Sequence, residues 1–178
     1  MVSGILNHHH SGEDENIWPP LRERGPDDCA ALVDIMEDQH RAIHNGLLQV
    51  AQVREAWRGS GSVDTRDTLA DTIEHLLPVM NEHLVLEEEQ VIPLIEKYVT
   101  RAEYSRVAQK QGAEAPRDML PTIIGMFMYE ADPAAIDLAV AEMPAEVQPI
   151  IRDVGPKAYA AYAEALYGTS NPPRVTSR

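Results

Sequence analysis

The segment His83-Leu84-Val85-Leu86-Glu87-Glu88-Glu89-Gln90-Val91-Ile92-Pro93 decides the reading of the fold. On a helix, residues i and i+4 lie one turn apart on the same face. His83 and Glu87 therefore offer an imidazole and a carboxylate to one point. The pattern also occurs 74 residues earlier, where His9-His10-Ser11-Gly12-Glu13-Asp14-Glu15-Asn16-Ile17-Trp18-Pro19 stands. The two stretches share His in the first place, Glu in the fifth, an acid in the sixth and Glu in the seventh. An amide follows in the eighth, an aliphatic residue in the ninth and Pro in the eleventh. Between them, His40 and His44 repeat the four-residue step.

The sequence around these stretches is helical. From Asp28 to Arg58, the residues Leu32, Ile35, Met36, Ile43, Leu47, Val50 and Val53 recur mostly at steps of three and four. Gly59-Ser60-Gly61-Ser62 reads as a flexible connection. A second long helix is expected from Asp64 to Tyr98, with Leu69, Ile73, Leu76, Leu77, Met80, Leu84, Val91 and Leu94 on its apolar face. Pro78 should kink it, and Pro93 should kink or nearly end it. An earlier helical piece, Val2 to Trp18, should stop at Pro19-Pro20. After Tyr98 the expected helices are shorter. Thr100 and Glu103 have capping-box spacing. Arg117 to Tyr129 forms another helix. Asp132-Pro133 pairs an N-cap with proline at the first helical position. The last stretch, Ala145 to Tyr167, should be interrupted at Gly155-Pro156. No segment alternates like a strand, so the fold class is all-α.

Composition narrows the function. The chain has 178 residues, 15 Lys plus Arg against 29 Asp plus Glu, and a formal charge of −14. So acidic a surface repels phosphate backbones, which argues against a nucleic-acid partner. No apolar run is long enough to span a membrane. The N-terminus lacks the basic and apolar regions of a secretion signal. Cys29 is the only cysteine, which rules out an intrachain disulfide and a multi-cysteine zinc site. A cytoplasmic setting is expected.

The candidate metal ligands are then His9, Glu13, His40, His44, His83 and Glu87, drawn from three helices. Mixed nitrogen and carboxylate donors suit iron, manganese or zinc better than calcium or magnesium, which favour oxygen. Two facing helices of this kind supply two carboxylates able to bridge two metals. His75 reads as a core histidine. Asp14, Glu15, Glu88 and Glu89 read as a solvated acidic face. Met119, Met126 and Met128 read as core filling, Cys29 as a small buried hydrophobe, and Tyr159, Tyr162 and Tyr167 as packing of the last helix.

Three stretches carry a resemblance to a known family: His8-His9-His10 through Glu15 to Ile17-Trp18-Pro19, Met36 to His40 with His44, and His83 through Glu88 to Pro93-Leu94. The chain resembles the haemerythrin-like (HHE cation-binding) proteins of actinobacterial type. The resemblance implies an up-down four-helix bundle with a non-haem, carboxylate-bridged pair of irons, for which zinc or manganese could substitute. It places His9 and Glu13 in the second family helix, His40 and His44 in the third, and His83 and Glu87 in the fourth. It implies a diatomic ligand or peroxide, held by a protein that binds, senses or detoxifies oxygen, nitric oxide or peroxide. Turnover of peroxide or nitric oxide is an enzymatic sub-case. On this resemblance the sequence as given is expected to start inside the family's second helix, through a late start, a truncation or a true three-helix variant. Loss of the first helix would leave a groove with an exposed apolar face, which a homodimer could cover. Residues 1–99 are expected to form the metal-binding helices. Residues 100–168 should form a helical extension packed on them, and 169–178 a flexible tail. Two alternatives are a metal-free or vestigial helical interaction module using that groove, and a mononuclear site of His40, His83 and Glu87.

Overall fold

A computed structural model describes residues 2–114, 117–141 and 143–174. Among the described residues the regular structure is entirely helical: α1 Val2–Asn16, α2 Trp18–Arg24, α3 Cys29–Ser60, α4 Val63–Leu86, a π-helical segment Glu87–Val91, α5 Ile92–Tyr98, α6 Arg101–Glu114, α7 Leu120–Glu130, α8 Pro133–Ala141 and α9 Gln148–Tyr167. None of them is long and apolar enough to cross a membrane. The chain divides into two units, Met1–Ala113 and Glu114–Arg178. Nearly all of α6 thus lies in the first unit, whereas the sequence reading put the change at 99/100.

In the first unit α3 and α4 form a long hairpin. Its turn is tighter than the Gly-Ser run implies. Helix α3 continues through Ser60, and Gly61 closes it in the left-handed conformation (φ 63°), where a side chain would be strained. Ser62 then caps α4 by accepting from the Thr65 amide. Helices α1 and α2 lie against the first half of α3, and α2 also meets α5. The buried residues of α3, Cys29, Val33, Met36, His40 and Ile43, step by four and three, so His40 occupies a place in the core stripe. Ile17, Trp18, Leu21, Cys29, Val33, Met36, Val91, Val99 and Val107 form the buried cluster at this end. Each large apolar side chain so buried contributes roughly 1.5–3 kcal/mol. The far end of the hairpin is barer: Leu48, Trp57, Val63, Ile73 and Leu77 are exposed.

Proline shapes both repeat copies. Pro19 and Pro20 do not stop the chain. They occupy the first turn of α2, where the missing N–H has no intrahelical acceptor to serve. Helix α1 ends at Asn16, and Ile17 forms the joint. In the second copy Pro93 falls in the first turn of α5, directly after the π segment, where the Ile92 amide donates to Glu87 O. Helices α2 and α5 are each seven residues long and stand 74 residues apart, the offset of the sequence repeat. Pro78 is accommodated inside α4.

The capping box at α6 forms as the spacing predicts. The Thr100 amide donates to Glu103 Oε2 at 2.9 Å, and the Glu103 amide donates to Thr100 Oγ1 at 3.3 Å. Arg24 also donates to both Glu103 oxygens, at 2.9 and 2.7 Å.

In the second unit α7 and α9 cross at Gly125 and Gly155. A Cβ on Gly125 would overlap the Gly155 carbonyl. Gly155-Pro156 does not interrupt the helix; α9 runs unbroken through both. Asp132 accepts from the Ala134 amide at 2.8 Å and opens α8, as its sequence position predicts. Tyr159 is buried, while Tyr167 is exposed. Tyr129 donates its hydroxyl to Asn171 and Pro172, which ties down part of the expected tail. Residues 175–178 of that tail lie outside the described residues.

Candidate metal centre

Four backbone elements converge on one region. Helix α1 contributes His9, His10 and Glu13, α3 contributes His40, α4 contributes His83, and the π segment contributes Glu87. They form two groups. His10, His40 and His83 each bring a ring nitrogen within 4.8 Å of the others, and all three side chains are buried. His9, Glu13 and Glu87 do the same with one nitrogen and two carboxylates.

The carboxylates connect the groups. Glu13 Oε1 stands 3.4 Å from His9 Nε2, and Glu13 Oε2 stands 3.6 Å from His40 Nε2. Glu87 Oε2 stands 3.6 Å from His83 Nε2. Each carboxylate therefore belongs to one group and faces a histidine of the other. The π segment starts at Glu87 itself, and such one-residue expansions recur at functional sites.

Three atoms here, Glu13 Oε2, His40 Nε2 and His83 Nε2, are fully buried without a hydrogen-bond partner. A buried polar atom left unpaired costs about 1–3 kcal/mol. Three around one point need a shared compensation, and a cation supplies it for lone pairs of this kind. The opposite ring nitrogens are held. His40 Nδ1 lies 2.7 Å from Asp14 Oδ1, which also accepts from Trp18 Nε1 at 2.8 Å. His83 Nδ1 lies 3.3 Å from Gln39 Oε1. Donation from Nδ1–H leaves each Nε2 lone pair directed inward, the arrangement of a metal-binding histidine backed by an outer carboxylate or amide.

The electrostatics agree. Burial, reinforced by His40, His83 and His9, lowers the His10 pKa to about 3. Its ring stacks on His40 at 4.0 Å and 7°. Burial followed by repulsion from His40 also lowers His83. Burial, then the charge and hydrogen bond of Glu87, then Asp14, raise Glu13 to about 9. A donor set with neutral imidazoles and a protonated buried carboxylate is one a cation would complete, displacing the carboxyl proton.

Five of the six sequence candidates, His9, Glu13, His40, His83 and Glu87, come together. His44 does not. It lies one turn along α3 from His40, is exposed, and its Nδ1 pairs with Asn7 Oδ1 at 3.1 Å. That turn of α3 meets the start of α1, beyond the cluster. His10 takes a place the sequence reading left empty. Its signal was the three-residue step to Glu13, which also shares a helix face. Asp14, read as part of a solvated face, instead holds His40 and Trp18. His75 is no core histidine: it is exposed and turned to the Asp71 carbonyl. Cys29 is buried and free, as expected.

A cavity of about 490 Å³ opens beside His9, Glu13 and Glu87, with Ile17, Ile92, Ile95, Val99, Tyr104 and Val107 among its walls.

The model of one protein family, the hemerythrin HHE cation-binding domain, matches residues 2–95 and again residues 31–116. No curated protein and no solved structure matches the chain. The two matches cover more than half the chain and include every residue of the cluster, so the chain belongs to the hemerythrin HHE cation-binding domain family.

Proposed function

We propose that the chain is a non-haem di-iron protein that binds, senses or detoxifies oxygen, nitric oxide or peroxide. The observation that carries this reading is the trio of buried, unpartnered atoms Glu13 Oε2, His40 Nε2 and His83 Nε2, set between two donor groups that share two carboxylates. His10, His40 and His83 would hold one ion, and His9 with Glu13 and Glu87 the other. When bound, iron supplies redox chemistry and an open coordination position for a small ligand. The chain's own contribution is preparation. Asp14 and Gln39 orient two imidazoles, burial keeps His10 neutral, and Glu13 holds a proton that a cation would displace. Zinc and manganese fit the same donors, so occupancy will follow metal supply. The single thiol, Cys29, buried and unpaired, suits a reducing compartment such as the cytoplasm.

The test is iron content with the ultraviolet–visible spectrum of protein purified with iron supplied. Two irons per chain and near-ultraviolet ferric bands that shift on adding azide support the reading. One metal per chain would favour a mononuclear site. No bound metal would overturn it in favour of a metal-free helical module.

A further inference from the structure

The cavity beside the carboxylate group is far larger than a diatomic or hydrogen peroxide needs. A water molecule takes about 30 Å³ of liquid volume, and this cavity measures about 490 Å³. That falls in the range of about 300–1,000 Å³ typical of pockets for organic ligands. Its two ends differ in chemistry. At one end stand His9, Glu13 and Glu87, with Glu13 over nine-tenths buried and its Oε1 3.4 Å from His9 Nε2. The remaining wall is mostly apolar, with Ile17 and Val99 from the core and Ile92 and Ile95 from α5, and it also carries the charged side chains Glu96 and Arg101.

The far wall is built deliberately. Helix α6 brings Val107 and Tyr104 to the cavity. Its first turn is fixed by the Thr100–Glu103 capping box and by Arg24, which also donates to the Tyr98 carbonyl at 3.2 Å. Val107 is buried with the core of the first unit, while Tyr104 is half exposed at the rim.

We propose that this cavity is a subsite for an organic molecule with a compact apolar body and one oxygen-bearing head, the head facing Glu13 and Glu87 and the body lying between α5 and α6. The proposal deepens the metal reading and rests on it. It gives the centre an organic oxygen compound, such as an alcohol or a hydroperoxide, in place of a diatomic alone.

The experiment uses the full chain loaded with zinc, which has no redox chemistry and so separates binding from turnover. Cumyl alcohol is the probe, cumene the analogue without the head, and calorimetry the readout, with zinc stoichiometry measured on every sample. The proposal expects cumyl alcohol to bind with a Kd below ~1 mM, within the usual range for enzyme substrates. It expects cumene to bind at least fivefold more weakly. Ile92→Trp, which adds bulk at a partly exposed wall, and Val107→Phe, which adds it from α6, should each weaken the probe at least tenfold and leave zinc uptake unchanged. Equal binding to both variants, or no binding to zinc-loaded wild type, overturns the subsite and leaves the metal reading standing. Equal affinity for cumene overturns the oxygen-bearing head. Probe binding by protein that takes up no metal keeps the pocket and overturns the metal reading.

Discussion

The two donor groups differ in almost everything but their neighbourhood. The His10, His40 and His83 group is sealed: its three rings are buried, mutually packed and backed by Asp14 and Gln39. The His9, Glu13 and Glu87 group stands at a cavity, and the His9 side chain is 47% exposed. The contrast arises within one sequence repeat. In the second copy the repeated histidine, His83, turns into the sealed group. In the first copy the repeated histidine, His9, turns to the open group, and its neighbour His10 enters the sealed one. A pseudo-symmetric sequence thus builds two unlike donor groups, one of three buried imidazoles and one of a more exposed imidazole with two carboxylates.

The largest expected effect separates His10 from His44. His10→Ala should weaken metal binding by on the order of 100-fold or more, beyond the effect of losing an outer partner. His44→Ala should leave it unchanged. Competitive cobalt and zinc titrations decide, and equal losses would mean the sealed group is wrongly composed.

A smaller effect is expected from the outer partners. Asp14→Ala should cost about 10–100-fold in metal affinity, because it removes the acceptor that orients His40. It also weakens the Trp18 contact, so a shift in Trp18 fluorescence should accompany the loss. An Asp14→Ala protein with wild-type affinity would show that His40 is held by packing alone.

The smallest effect is on the pH dependence of the metal-free protein, where the two groups pull in opposite directions. Glu13 is raised from 4.5 to about 9, so its contribution to stability is complete below 4.5 and is lost as pH rises through about 9. His10 is lowered from 6.5 to about 3, so its contribution is complete above 6.5 and is lost as pH falls through about 3. Between 4.5 and 6.5 the two slopes oppose each other. Thermal melts should therefore show a broad optimum there, and Glu13→Gln should flatten the alkaline limb. Wild-type stability that keeps rising to pH 9 would contradict the protonated Glu13.

Much of this was legible in the sequence, for a definite reason. Helical periodicity and the capping signals at Thr100 and Asp132 are local, and local rules located the helices to within a few residues. The His-x-x-x-Glu spacing likewise reports which residues share a face, and five candidate ligands followed from it. What spacing does not contain is the level at which one helix meets another. His40 and His44 share a face, yet only His40 stands opposite Asp14 and the ring of His10, while His44 meets Asn7. The same gap hid the role of Asp14 and the cavity, since both depend on α1, α3, α5 and α6 together. Proline misled in the other direction. Pro19-Pro20 and Gly155-Pro156 look like breaks, but the first pair opens a helix and the second lies within one.

The π segment also bears on which insertions and deletions the chain tolerates. Residues 87–91 hold one residue more than a regular turn would, directly between the site and everything that follows it in the first unit. Each residue of an α-helix turns the chain by about 100°. Deleting a single residue from Glu88-Glu89-Gln90, all exposed, would look harmless in an alignment and would even restore a regular helix. Because that turn carries the extra residue, Val91, Ile95 and Val99 would keep their side of the helix, and the change would fall on the turn that sets Glu87 beside His83. This exposed stretch is thus a place where the chain can lose one residue without disturbing its core, while a further insertion would rotate all that follows it in the first unit.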